Sequence, residues 1–368
     1  MTDVTTQAAA AAPAAKAVSL VDTDVHPVLP AGALQRRLSE RWRRYHERFG
    51  FRFPRVANFH PRVRGGGVRI DAWPEHGPPG SDLGLLRCQL LDEHDIDFAV
   101  LTPLDGPGFG AERTDYAAAL TRAVNEWIRE DWLDHEPRLL GSIGVPVEDP
   151  AAAVKEIERW AGDPRFVQVL MPVSTREPLG STRYWPLYEA AAGLGLPVAF
   201  HNGGYDAHPG TGWPSYYLEE HTNYANVMQT QVQSLVVGGV FEAFEDLQAV
   251  FIEGGVTWAA PMMWALDAGW SQLRDEVAHL GRPPSAYVRE HCWFTTQPIE
   301  EPDDPQDLVT ALELMGMEDR VMFATDYPHW DFDSPEQALP RALGAELRAR
   351  IRGRNAARLY DLPGRLER

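Results

Sequence analysis

Eight short apolar runs, separated by longer stretches of helical pattern, restrict what this chain can fold into more than any other feature. The runs fall at 18–21, 98–102, 141–145, 166–170, 197–200, 248–252, 292–295 and 321–324. Helical spacing fills much of the ground between them, at 116–135, 151–161, 184–193, 223–244 and 307–315. Strands alternating with helices imply parallel pairing, because each parallel return needs a crossover. Eight such units match a closed (β/α)8 TIM barrel, and 368 residues suit one carrying insertions. An open doubly wound sheet is the competing architecture. It usually opens on a glycine-rich first turn, and Asp22-Thr23-Asp24-Val25-His26-Pro27 contains no glycine.

The domain expectation is a tail over 1–17, low in complexity and disordered, then one α/β barrel over 18–362. Residues 27–95 are too long for a simple loop. They carry Arg36, Arg37, Arg44, Arg62, Arg64, Arg69 and Trp73. An insertion after strand one would sit on the active-site rim, so we expect a substrate-covering lobe there; a solvated helix and loop is the plainer alternative. The helical spacing of 339–360 would pack the C-terminus back onto the barrel. A net charge of −19 argues against nucleic acid or an anionic membrane as partner. The two cysteines, Cys88 and Cys292, form no CxxC pair, which fits a reducing cytoplasm and excludes a thiolate zinc site. No apolar stretch is long enough to span a bilayer.

The chemistry gathers where apolar runs end, which in a barrel is the catalytic rim. Val321 to Ala324 opens into Thr325-Asp326-Tyr327-Pro328-His329-Trp330-Asp331-Phe332-Asp333. Asp326 suits metal binding and proton acceptance from metal-bound water, with a turn or helix cap as the alternative. Asp24 and His26 are two apart and share a face of an extended strand. Asp22 is an equal partner for that pair, and His26 could instead be a loop histidine beside Pro27. His201, at the tip of 196–200 and before Asn202-Gly203-Gly204, is a rim ligand or a histidine satisfied by backbone. Glu253 follows four apolar residues as a ligand or a buried acid in proton transfer. His329 could orient substrate, or simply hydrogen bond Asp331 or Asp333. Asn202, Tyr205, His208, His221, Trp258 and Trp330 lie close by in sequence. With Trp213, Tyr216, Tyr217 and Trp264, the aromatics among them suit a flat pocket or the core.

These motifs together resemble the amidohydrolase-related (amidohydrolase-2) branch of the amidohydrolase superfamily. That branch includes decarboxylases of aminocarboxymuconate semialdehyde and of hydroxybenzoates. The resemblance spans roughly residues 18–362. It rests on Asp22–Pro27, Phe251-Ile252-Glu253-Gly254-Gly255-Val256-Thr257-Trp258, Ala324–Trp330 and Asn355-Ala356-Ala357-Arg358-Leu359-Tyr360. It implies a distorted barrel and one divalent metal ion, zinc first and manganese second, held by Asp24, His26, His201 and Asp326. Two positions depart from the pattern: Asp24 stands where glutamate or histidine is usual, and Glu253 where the sixth strand usually ends in histidine.

The leading expectation is a metal-dependent hydrolase acting on a small carbonyl-bearing, plausibly aromatic substrate. Asp326, His201, Glu253 and His329 would form its catalytic set, and Trp258, Trp330, Asn202 and Tyr205 its substrate contacts. A non-oxidative decarboxylase of an aromatic or unsaturated acid is the alternative, with ring-closing condensation a third. A metal-free binding barrel is the contrasting class. Resemblance further implies a homodimer or higher homo-oligomer.

Overall fold

A computed structural model describes residues 18–50, 67–103, 113–204 and 216–364. The expected tail and the candidates Tyr205, His208 and Trp213 lie outside them. Eight strands are present: β1 (Val21–Val25), β2 (Phe98–Leu101), β3 (Leu139–Gly144), β4 (Phe166–Ser174), β5 (Val198–Gly204), β6 (Ala249–Ile252), β7 (Cys292–Thr295) and β8 (Val321–Met322). They pair in parallel in sequence order, β1 through β8, with helices between them. The architecture is the (β/α)8 barrel expected.

The ring closes through single hydrogen bonds rather than a full ladder. Thr23 N–H donates to the Phe323 carbonyl (3.0 Å), Asp326 N–H to Asp24 (3.1 Å) and His26 N–H to Tyr327 (2.8 Å). The Asp22 carboxylate stitches the same seam, accepting from the Thr325 N–H (2.9 Å) and hydroxyl. Because β8 has only two ladder residues, the seam is where the barrel departs from regularity. A register shift in the β1–β2 pairing falls between Asp22 and Val25, so strict alternation is reset around Asp24.

On β2, β5 and β6 the period of two holds. Val100, Ala199, Val250, Ile252 and Met322 belong to an apolar cluster inside the barrel, with Ala356 and Tyr360 of the C-terminal segment closing its floor. Ala99, Leu101, Val198, Phe200, Ala249 and Phe251 pack outward in the cluster shared with the helices. Both faces of each strand are therefore covered, which is why the strands read as continuous apolar runs.

Two expected elements differ. The segment 223–244 is two helices, Tyr224–Val237 and Val240–Ala243, broken at Gly238 and Gly239, where Gly239 takes φ +78°. The stretch 339–360 forms several short helical pieces, among them Gly344–Ala349 and Asn355–Leu359.

Within the 27–95 insertion, residues 67–69 run along the rim. Arg69 N–H donates to the Pro328 carbonyl (2.9 Å) and Trp330 N–H to Gly67 (2.5 Å), so residues 67–69 line the turn after β8. Gly67 sits at φ +85°, and a Cβ there would lie 2.8 Å from the Trp330 ring, so only glycine allows this approach. The far end of the insertion is anchored at the foot of β3. Glu136 is buried and accepts from Arg87 (2.8 Å) and Arg138 (2.9 Å), and Arg138 also reaches Asp92 (2.8 Å).

Burial opposes the Glu136 charge, but these arginine donors outweigh it and hold the carboxyl down at about 2. A carboxylate depressed in the folded state stabilises above its unfolded pKa and loses that contribution as pH falls towards 2. Glu136→Gln should therefore lower stability by about 1–2 kcal/mol at pH 7, a figure reduced because its arginine partners are partly exposed. Urea midpoints of variant and wild type should converge between pH 4.5 and 2. Parallel midpoints over that range would disprove the role.

Candidate metal centre

At the C-terminal mouth of the barrel, β1, β5, β6 and β8 each deliver a functional side chain. His26 follows the end of β1. Its Nδ1 lies 2.8 Å from the Thr102 carbonyl, an oxygen that can only accept. Nδ1 therefore carries a proton, and Nε2 is the nitrogen that faces the barrel mouth. His201 repeats the device: Nδ1 donates to the carbonyl of Asn202 (2.7 Å). It lies two residues beyond the inward-facing Ala199, so its Nε2 points the same way. The backbone-satisfied reading of His201 and the ligand reading thus describe the two nitrogens of one ring.

Asp24, fully buried, accepts the Thr102 hydroxyl at Oδ1. Its Oδ2 lies 3.5 Å from His201 Nε2. Asp326 Oδ1 lies 2.6 Å from His26 Nε2 and accepts from His329 Nδ1 at 2.5 Å. His329 thus pairs with Asp326 rather than with Asp331 or Asp333, because the turn after β8 brings positions 326 and 329 together. Ligand-type atoms of Asp24, His26 and His201 lie within 4.8 Å of one another, as do those of His26, Asp326 and His329.

Three buried atoms in this pocket have no hydrogen-bond partner, Asp24 Oδ2, His201 Nε2 and Asp326 Oδ2, and beside them His26 Nε2 meets Asp326 Oδ1 at 2.6 Å. Buried polar atoms are rarely left unpaired, and two carboxylate oxygens with two imidazole nitrogens are a donor set for zinc or manganese. The residues fit a divalent ion. The electrostatics agree. Burial disfavours charge on His26, yet Asp24 and Asp326 overcome it and lift the ring to about 9. Burial would likewise raise Asp326, but His329 and His26 hold it well below the usual carboxylate range. The acids of the pocket call for positive charge.

Asp22 is not part of this set. Its oxygens are taken by Thr325 and the Asp24 N–H, and burial lifts its carboxyl to about 7.

Glu253 ends β6. Alternation would send it outward like Phe251, but its backbone is left-handed (φ +64°), and Oε2 comes to 3.3 Å from His201 Nε2. Burial, with Asp326 and Asp24 beside it, pushes its carboxyl well above the ordinary value, and a hydrogen bond with Asn202 works the other way. Asp326 is also left-handed (φ +60°). Two strained non-glycine residues at one site are a mark of function.

The turn after Glu253 is held on every side. The Glu300 carboxylate accepts from Val256 N–H (3.1 Å), Thr257 N–H (2.9 Å) and the Thr257 hydroxyl (2.7 Å). Gly255, at φ +66°, has no room for a Cβ, which would meet Glu300 Oε1 at 2.7 Å. Trp258 donates its indole N–H to the Gly254 carbonyl (2.7 Å) and packs edge-on against Phe294. It buttresses the turn. Trp330 is 54% exposed at the mouth and donates to the Tyr217 hydroxyl (3.1 Å). His221 pairs with Asp331 (2.7 Å), which also accepts from Gln297 (2.7 Å). Trp264 is 51% exposed on the helix Ala259–Leu273, and Tyr216 is 61% exposed. Thr102, Gln297 and Glu300 carry no motif in the sequence and are found only through their partners.

Comparison with known proteins agrees with the fold. A family model described as Amidohydrolase matches residues 21–362. A gamma-resorcylate decarboxylase of Rhizobium radiobacter is 27% identical over 320 residues, covering 82% of this chain and 94% of that one. Among solved structures, an amidohydrolase from Mycobacterium avium subsp. paratuberculosis superposes with TM-score 0.69 at 21% identity, over 93% of this chain and 99% of its own. A dihydroxybenzoic acid decarboxylase from Polaromonas, solved with manganese and the inhibitor 2-nitroresorcinol, gives 0.65 at 20% identity, over 94% and 97%.

Proposed function

The chain belongs to the amidohydrolase family, and within it we propose a metal-dependent, non-oxidative decarboxylase of a hydroxylated aromatic acid. One observation carries the metal centre: three unpartnered buried ligand atoms and the His26–Asp326 pair converge at the mouth of the barrel. Asp24, His26, His201 and Asp326 would hold one divalent ion, zinc or manganese. The choice of decarboxylation rests on relatives that bear that name over most of their length, and on the manganese-bound Polaromonas structure. It places second the hydrolysis that the motifs alone put first.

When bound, the ion supplies a Lewis-acid anchor for the substrate carboxylate and a neighbouring hydroxyl. The chain's own groups do the rest. His26 and His201 keep their Nδ1 protons on backbone carbonyls, which fixes both rings. Asp326, braced by His329, stays ionised at the wall of the site. Decarboxylation requires a proton added to the ring carbon that bears the carboxylate. The bond from that carbon to the carboxylate then breaks, its electron pair stays with the ring, and CO2 leaves.

Among the described rim carboxyls outside the ligand set, Asp22 is occupied by Thr325, Asp331 by His221 and Gln297, and Glu300 by the 256–257 backbone, while Asp333, lifted by burial to about 7, is tied to the Ile299 backbone. Glu253 faces the site and is assigned the proton transfer. Asn202 positions Glu253, and Trp330 with the 67–69 segment would cover the substrate ring.

The test is direct. Protein loaded with Zn2+ or Mn2+ is offered hydroxybenzoic acids, benzamides and aromatic lactones, and CO2 and products are followed by chromatography. Release of CO2 with formation of the corresponding phenol is expected. Cleavage of an amide or lactone without CO2 would return the site to hydrolysis.

A further inference from the structure

We propose that Thr102 is the positioning residue that makes the β1 pair a metal site, setting Asp24 and His26 at once. The inference rests on the metal centre proposed above and adds a residue that no motif marks. Thr102 follows β2, is fully buried and lies beside β1, its N–H donating to the Val25 carbonyl (2.8 Å). Its carbonyl accepts from His26 Nδ1 at 2.8 Å, which leaves Nε2 as the nitrogen turned to the site, 2.6 Å from Asp326 Oδ1. Its hydroxyl makes its shortest contact with Asp24 Oδ1, while the Val25 carbonyl and His26 Nδ1 lie farther off, each at 3.2 Å.

With the Thr102 hydroxyl on Oδ1, Asp24 turns its unpartnered Oδ2 to His201 Nε2 at 3.5 Å, while Oδ1 lies 3.5 Å from His26 Nε2. One residue thereby orients two candidate ligands. The arrangement also accounts for the short acid at this position. Aspartate has less reach than glutamate or histidine, so its carboxylate must be held in one orientation to serve, and the Thr102 hydroxyl holds it. Partners of this kind typically contribute 10–100-fold to metal affinity.

The experiment uses the full chain stripped with a chelator and titrated with Zn2+ against a chromophoric competitor. A parallel Mn2+ titration is read by electron paramagnetic resonance. Thr102→Val keeps the side-chain shape and the backbone carbonyl but removes the hydroxyl. It should weaken the dissociation constant by about 10–100-fold. Thr102→Ser restores the hydroxyl and should return affinity to within about threefold of wild type. The metal-free thermal midpoint is read alongside, since a purely structural role would move that midpoint and leave affinity alone. Should valine not fold, Thr102→Ala against Thr102→Ser makes the same comparison. Wild-type affinity in Thr102→Val, or loss in Thr102→Ser equal to that in Thr102→Val, would overturn the role of Thr102 while leaving the centre intact. A wild type that binds neither ion would overturn the centre and Thr102's part in it together.

Discussion

Asp326→Asn should purify with far less than one metal ion per chain and lose catalysis almost entirely. The dissociation constant for Zn2+ should rise by at least about 100-fold, because a direct ligand is lost rather than an orienting partner. Turnover should fall by roughly a thousandfold or more, since removing the Lewis acid also removes the substrate's anchor. Asparagine keeps the backbone and the local shape. Position 326 is left-handed at φ +60°, a conformation asparagine accepts better than most residues. Its amide oxygen can still accept from His329 Nδ1, as Asp326 Oδ1 does at 2.5 Å. The metal-free variant should fold but melt below metal-free wild type, because the charge pairing of Asp326 with His26 and His329 is lost. Elemental analysis and calorimetry read the two quantities separately. Full metal content in Asp326→Asn would remove Asp326 from the ligand set.

The barrel is legible in the chain because both faces of its strands are covered, so apolar content alone marks them. β7, Cys292–Thr295, coincides with its apolar run. The first strand does not. The run at 18–21 only leads into β1, whose residues include Asp22, Thr23 and Asp24. Those polar residues are strand because β2 and the seam to β8 hold them there, and no local pattern shows a partner some 300 residues away. The break at Gly238 and Gly239 is local and visible; how far it interrupts the helix depends on packing.

The centre divides the same way. Asp24, His26, His201 and Asp326 stand out because each ends an apolar run, and barrel topology brings run ends together. Their orienting groups stay hidden. Thr102 ends a run as well, but a threonine at a strand terminus is ordinary, and its hydroxyl matters only once Asp24 is placed beside it. Glu300 is one acid among several in a polar stretch, recognisable only by the N–H groups of Val256 and Thr257 it collects. Sequence shows candidate ligands by type and position; the groups that aim them are defined by tertiary contact.

Glu253→Gln gives the second large effect, and its signature is opposite to that of Asp326→Asn. Metal content should stay at the wild-type level, and KM should change little. The turnover number should drop by about 10²–10⁴-fold, the usual range for removing a general acid. Glutamine matches glutamate in shape and can still meet Asn202, but it has no acidic proton to give the ring carbon. The turn around it should hold, because Glu300, Trp258 and the Thr295 hydroxyl fix the backbone from 253 to 257 without using the Glu253 carboxyl. Glu253→His adds a second reading. An imidazole at the end of β6 can also carry a proton, so it should recover part of the lost turnover and shift the pH profile of kcat. A glutamine variant within a few-fold of wild type would move the proton transfer to the Asp326–His329 pair, where the 2.5 Å contact supplies the next acid in line. Loss of metal in Glu253→Gln would instead make Glu253 a ligand, and the centre would then hold three carboxylates with two histidines.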